Sequence, residues 1–211
     1  MQVKVFVFNP FQENTYLVFD ESKEAVIIDP GCNSTEEENI LLQFIDKNEL
    51  KPVHLLNTHC HIDHVLGNQF ISDKFNLVAE AHLADEFLAK GAKDYGAVYG
   101  LRLKTTPIIG KFLNEGDQIL FGNSELNIVH IPGHSPGGIV FYNQKESFMV
   151  VGDVLFEGSI GRSDLPGGNY NLLIASIKNK LLSLGDEMIV YPGHGPSTTI
   201  KAERLTNPFL G

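Results

Sequence analysis

Thr58-His59-Cys60-His61-Ile62-Asp63-His64 places three histidines and one aspartate within six residues. His59 and His61 stand two apart, a spacing that lets neighbouring side chains of a tight loop approach one cation. Asp63 and His64 follow at once, so the same loop can offer a second ligand pair. Histidine is the commonest ligand of transition metals, and groups packed this closely otherwise repel or need hydrogen-bond partners. A lone histidine is more often a satisfied surface or core residue. The cluster reverses that reading and points to a metal site.

The same local pattern recurs along the chain. Four short apolar runs end in a candidate ligand: His54–Leu56 before His59, Ile128–Ile131 before His134, Met149–Val151 before Asp153, and Ile189–Tyr191 before His194. In layered α/β proteins, ligands bind beyond the carboxyl ends of the strands, where loops converge on a rigid sheet. Four strand ends carrying His or Asp are therefore expected to face one pocket.

The rest of the sequence sets the frame. Its 211 residues are 43% hydrophobic and 20% charged, the composition of a soluble protein long enough to bury a sizeable core. A net charge of −10 argues against non-specific nucleic-acid binding, which sets basic residues against phosphates. No run approaches the roughly 18 apolar residues of a membrane span. Met1–Pro10 has one lysine and too short an apolar run for a signal peptide. The expectation is a cytoplasmic protein with neither a nucleic-acid nor a membrane partner. Cys32 and Cys60 are too few for a disulfide framework.

Strands are expected at 3–8, 16–19 and 25–28, the last two flanking the polar turn Asp20–Glu24, and near 118–121, 125–131, 139–142 and 148–151. Ser34 with Glu37 forms a capping-box pattern, opening a helix with Ile40, Leu41, Phe44 and Ile45 on one face. Further helices are expected over His82–Lys90 and from about Tyr170 to Leu182. No low-complexity linker divides the chain, and one domain over 1–211 is expected.

Together with Pro132-Gly133-His134, Gly152-Asp153 and Pro192-Gly193-His194-Gly195, the histidine cluster resembles the metallo-β-lactamase-fold hydrolases. Within them, Asn9–Tyr16, Ser159–Gly168 and Glu203–Phe209 are similar to the small glyoxalase II-like (hydroxyacylglutathione hydrolase-like) proteins. The resemblance implies an α/β fold, a four-layer αββα sandwich built from two similar halves. It implies that His59, His61 and His134 hold one metal, that Asp63, His64 and His194 hold a second, and that Asp153 bridges them. It further implies a thioesterase acting on a small-molecule substrate of the lactoylglutathione type. A metal-bridging hydroxide, oriented by Asp63 and Asp153, would be the attacking group.

The donor chemistry stands beside that likeness. Seven nitrogen and oxygen ligands suffice for two divalent metals sharing a carboxylate, and such a pair generates hydroxide at neutral pH and polarises a carbonyl. Zinc is the first choice, and without a thiolate in the set iron and manganese also fit. Cys60 is expected to diverge from His59 and His61, and Cys32 to pack. Asp29, closing the run 25–28, would accept the outer N–H of a metal-bound histidine; an ordinary turn aspartate before Pro30 is the other reading. Glyoxalase II proper carries an extra C-terminal helical domain. Here only Gly195–Gly211 follow His194, so none is expected. In the loop where that family sets a Lys and a Tyr on glutathione, this chain has Arg162 and Asp164. Arg162 can fork onto a substrate carboxylate, or pair with Asp164.

Other readings meet obstacles. Gly133-His134-Ser135-Pro136-Gly137 matches a serine nucleophile elbow, but the residue after the nucleophile must donate its N–H to the oxyanion hole and Pro136 has none. The better-known zinc sites of true metallo-β-lactamases use a Cys where this chain has Asp153. Persulfide dioxygenases, which use one iron and oxygen, share the pattern Gly161–Asp164 and are the main alternative. A non-catalytic interaction module is the reading from another class, and it leaves seven converging ligands unexplained.

Overall fold

The computed structural model describes residues 1–101, 103 and 105–211. Strands β1 (Gln2–Phe8), β2 (Glu13–Phe19), β3 (Glu24–Ile28), β4 (Lys51–Leu56), β5 (Ala79–Ala81) and β6 (Ile109–Phe112) lie side by side in chain order as one six-stranded sheet. β1, β2 and β3 pair antiparallel, and β3 through β6 parallel. Between them run helices α1 (Thr35–Lys47), α2 (Ile62–Val65), α3 (Asn68–Phe75) and α4 (Glu86–Val98).

The second half repeats the plan. β7 (Gln118–Phe121), β8 (Ser124–His130), β9 (Ile139–Asn143) and β10 (Phe148–Gly152) form an antiparallel meander. After the small hairpin of β11 (Leu155–Phe156) and β12 (Ser159–Ile160) comes α5 (Tyr170–Ser176). β13 (Ile189–Pro192) then joins β10 in parallel, β14 (Thr198–Thr199) closes the edge, and α6 (Ile200–Thr206) follows.

Period-two alternation decides the layering. Tyr16, Val18, Val26, Ile28 and Leu56 of the first sheet pack with Leu126, Ile128, Ile139, Phe141 and Val150 of the second, forming the central core. The intervening residues point outward. Leu17, Ala25, Ile27 and Leu55 meet Leu41 and Ile45 of α1 and Ile71 of α3. Val129, Val140, Met149 and Val190 meet Leu173 of α5 and Ile177, Leu181 and Ile200. The four layers are helix, sheet, sheet and helix, as the resemblance implied. No helix among the described residues is long and apolar enough to cross a membrane.

Most expected elements form, with bounds shifted by a few residues. The helix expected over His82–Lys90 instead starts with a tight turn at Leu83–Asp85 and runs on to Val98. Gly91 and Gly96 weaken its sequence signal. Ser34 caps α1 by accepting from Glu37 N, but Glu37 does not return its carboxylate to the cap. It accepts from Asn33 N and from Asn9 N, both at 2.7 Å, tying α1 to the segment after β1. The helix expected to Leu182 leaves regular α geometry at Ile177, passing through a wide turn and then a tight one. α3, α6, β5, β6 and the β11–β12 hairpin, all eight residues or shorter, are not anticipated by periodicity.

Candidate metal centre

The loops after β4, β8, β10 and β13 converge at one end of the two sheets. Thr58 follows β4, and its N–H and hydroxyl both donate to Asp29, at 2.7 and 2.5 Å. That fixes the loop so that His59 and His61 turn inward together. Asp63 and His64 lie on the single turn of α2, whose cap is His61. His134, Asp153 and His194 follow β8, β10 and β13. Gly152 holds φ +55° so that the chain can turn Asp153 into the site, a conformation glycine adopts without strain. A Cβ on Gly193 would lie 2.1 Å from Asp153 Oδ1, so only glycine lets that loop approach the carboxylate.

All seven candidate ligands come together. His61 Nδ1 and His59 Nε2 lie 2.8 and 3.3 Å from His134 Nε2. Asp63 Oδ2 lies 3.1 Å from His194 Nε2 and 3.7 Å from His64 Nε2. Each trio has its ligating atoms within 4.8 Å of one another. Asp153 stands between the trios, with Oδ1 3.4 Å from His64 and Oδ2 3.7 Å from His134 and 3.6 Å from His194. Asp29 also falls within reach of His59 and His64, but its oxygens already accept from Thr58 and, at 3.1 Å, from His64 Nδ1. These hydrogen bonds suit it to orienting His64 and the loop of Thr58.

The outward nitrogens set the tautomers. His59 Nδ1 lies 3.1 Å from Thr58 Oγ1, His64 Nδ1 faces Asp29, His134 Nδ1 lies 2.7 Å from the Arg162 carbonyl, and His194 Nδ1 lies 3.0 Å from the Phe11 carbonyl. A ring in its neutral form can donate there, which turns its Nε2 lone pair inward, as in metal-ligating histidines. Four buried polar side-chain atoms among the described residues have no hydrogen-bond partner: Glu13 Oε1, His61 Nε2, His64 Nε2 and Asp153 Oδ1. The last two face each other across the site. Orphaned, inward-facing donor atoms of this kind fit divalent cations.

The electrostatics agree. Burial opposes ionisation of Asp153, yet His64, His134 and His194 hold its carboxyl well below the usual carboxylate range. Burial likewise works against Asp63, and His64 and His194 outweigh it. His61 is driven down to about 3 by burial and by His134, so its ring is neutral. Burial and the surrounding imidazoles lower His59 as well. Two ionised carboxylates demand positive charge here, and burial notwithstanding, Asp63 and Asp153 raise His64 toward the protonated form when nothing else supplies it.

Several supporting residues were not singled out by sequence. Asp85, buried at the start of α4, accepts from Cys60 N (3.0 Å), Ser135 Oγ (2.8 Å) and Gly137 N (2.6 Å), clamping the loops that carry His61 and His134. Glu13 is buried beside His64, and burial raises its pKa well above the ordinary range. The segment Asn9–Tyr16 braces the ligand loops. Asn9 Nδ2 donates to the Asp63 carbonyl, and Asn14 Nδ2 to the carbonyls of Pro192 and Gly195. Tyr16 donates to the Pro192 carbonyl at 2.6 Å. Cys60 packs with Ile62, Val65 and Ala89, and Cys32 lies in the core under α1; both are free thiols outside the ligand set. Arg162 places its fork on Asp164, two contacts of 2.8 Å, so the local pair weighed for it is the one formed.

The sequence profile of the Metallo-beta-lactamase superfamily matches residues 8–194, spanning every one of these ligands. The chain belongs to that superfamily. Among superfamily members, hydroxyacylglutathione hydrolase GloC of Haemophilus influenzae is 37% identical over 217 residues, covering 100% of this chain and 98% of its own. The crystal structure of TTHA1623 in a di-iron-bound form is 40% identical, with a TM-score of 0.88 over 99% of this chain and 100% of that one. BLEG-1 B3 metallo-beta-lactamase is 36% identical, with a TM-score of 0.89 over 99% of both chains. Superfamily membership makes the protein a metallo-hydrolase by class, and the converging His and Asp side chains are its candidate metal site.

Proposed function

We propose that the protein is a cytoplasmic thioesterase of the glyoxalase II type, with lactoylglutathione as the reference small-molecule substrate. The arrangement of Asp153 between two ligand trios carries this reading, supported by the likeness to a hydroxyacylglutathione hydrolase over the whole chain. His59, His61 and His134 would hold one divalent cation and Asp63, His64 and His194 the other. A thiolate-free set accepts zinc, iron or manganese, and a relative in di-iron form makes iron a metal to assay alongside zinc. A cation pair, when bound, supplies hydroxide at neutral pH and polarises a carbonyl.

The chain's own groups do the rest. Asp63 and Asp153 keep ionised carboxylates facing the site and orient the attacking oxygen by accepting its hydrogen. Asp29, Thr58 and the Arg162 and Phe11 carbonyls hold the four imidazoles in the ligating tautomer. A thiolate with a pKa near 8.5 leaves without a dedicated general acid. Ser135 is no nucleophile in this scheme: it is buried, and its hydroxyl donates to Asp85 rather than to a histidine.

Likeness to a B3 metallo-beta-lactamase at 36% identity supports β-lactam hydrolysis as a second reading of the same centre. The deciding assay is thiol release from lactoylglutathione under nitrogen, with metal content measured in parallel. Turnover without oxygen, about two metals per chain, and joint loss of metal and activity in a folded Asp153→Ala variant are the expected results. Oxygen uptake with glutathione persulfide, about one iron per chain and no thioester cleavage would replace this reading with the dioxygenase one. Cleavage of a chromogenic cephalosporin but not of thioesters would replace it with the second.

A further inference from the structure

A cavity of about 180 Å³ opens beside the metal centre, between α4 and the loop at Leu165-Pro166. Its lining includes His61, Phe87, Leu88, Gly91, Tyr95 and Leu165, with no Asp, Glu, Lys or Arg among the described residues. His61 therefore belongs both to the cavity wall and to the first ligand trio. Phe87 and Tyr95 are partly exposed, 48% and 38%, so the cavity can be entered past an aromatic rim.

Gly91 is the second observation. It sits inside α4, where glycine in place of alanine disfavours the helix. Nothing in the backbone requires it, since its φ is not positive. Nor does packing: a Cβ built on Gly91 would meet no heavy atom within 4 Å. Gly96 on the same helix differs, for a Cβ there would meet Leu103 at 3.0 Å and Ile62 at 3.3 Å. Gly91 lines the cavity, and the place its side chain would take is open space.

We propose that this cavity is an acyl subsite that selects thioesters of branched or aromatic acids over those of small ones. The inference rests on the thioesterase reading above. An apolar cavity of about 150 Å³ holds a benzene ring, so a group of about six carbons fits, whereas a lactoyl group leaves most of the space empty. The wall shared with His61 sets the occupant beside the first ligand trio, and the thioester series below decides between its acyl and thiol parts.

The test is a series of glutathione thioesters (acetyl, isobutyryl, isovaleryl, benzoyl) with the metal-loaded protein. kcat/KM should rise about fourfold per added buried carbon before levelling at benzoyl. Gly91→Leu fills the cavity with a better helix former and should lower the benzoyl-to-acetyl ratio by about tenfold or more. Gly91→Ala, one methyl larger, should fall between. Binding of fluorobenzene to the metal-free protein, followed by ¹⁹F NMR, reads the cavity without any turnover. It should be present in the wild type and lost in Gly91→Leu, with thermal melting confirming that both are folded. A flat acyl series in an active thioesterase overturns the subsite and leaves the hydrolase reading standing. So does selectivity that follows the thiol at a fixed acyl group. Fluorobenzene binding lost in Gly91→Leu, with no thioester cleaved at all, overturns the thioesterase reading and shows a cavity with another occupant.

Discussion

Asp29 reaches His64 Nδ1 at 3.1 Å while its carboxylate also accepts both the N–H and the hydroxyl of Thr58. One side chain thus sets the tautomer of a ligand on α2 and the path of the loop leading to His59. Its backbone is in the left-handed region, φ 50°, which Asp tolerates better than most residues. A carboxylate holding a ligating imidazole raises metal affinity through ring orientation and basicity.

Asp29→Ala should therefore weaken metal binding about 10–100-fold in competition with a chelating dye. It also leaves the buried Thr58 N–H unpaired, a loss of about 1–3 kcal/mol in urea unfolding. Unchanged metal affinity in a destabilised variant would mean that Asp29 serves the loop alone.

What the sequence made legible divides along physical lines. The residues that converge were readable because metal chemistry restricts the type of a candidate ligand, and short loops after strands restrict its spacing. His59, His61, Asp63 and His64 fall within six residues, and each later candidate follows its own apolar run. Asp85 was not readable. Its partners, Cys60 N, Ser135 Oγ and Gly137 N, come from segments 25 to 52 residues away, and its own neighbourhood reads as an ordinary helix start. Glu13 was not readable either: the strand expected at 16–19 begins at Glu13 in the structure, and all seven of its residues are buried. The missed elements are those too short for a period to declare itself, such as β5 with three residues.

Ser135 and Asp85 give a prediction that separates chemistry from architecture. Ser135→Ala should keep most hydrolytic activity and lose about 1 kcal/mol of stability, the usual worth of one hydrogen bond. Asp85→Ala removes the acceptor for two buried backbone N–H groups as well, and should lose about 3 kcal/mol together with metal affinity. Abolished hydrolysis in Ser135→Ala at unchanged metal content would restore the serine mechanism that Pro136 speaks against.

Glu80 offers a pH test on a residue outside the candidate ligand set. It is buried on β5, with His54 Nδ1 at 2.5 Å and Lys111 Nζ at 2.6 Å from its two oxygens. Burial alone would raise its pKa, but the hydrogen bonds from His54 and Lys111 hold the carboxyl below its ordinary value. The folded pKa is thus lower than the unfolded one, near 4.3. A group of this kind stabilises the fold above the unfolded pKa, and the contribution is lost as pH falls through the folded pKa. Lys111 is 53% exposed and screened by salt, which limits its share. Glu80→Gln should therefore lower stability by about 1–2 kcal/mol at pH 7, measured by urea unfolding at equal ionic strength. The gap from wild type should narrow steadily below about pH 4 as the native carboxylate takes up its proton. A penalty that stays constant down to pH 3 would show that the shape of the side chain, not its charge, is what β5 depends on.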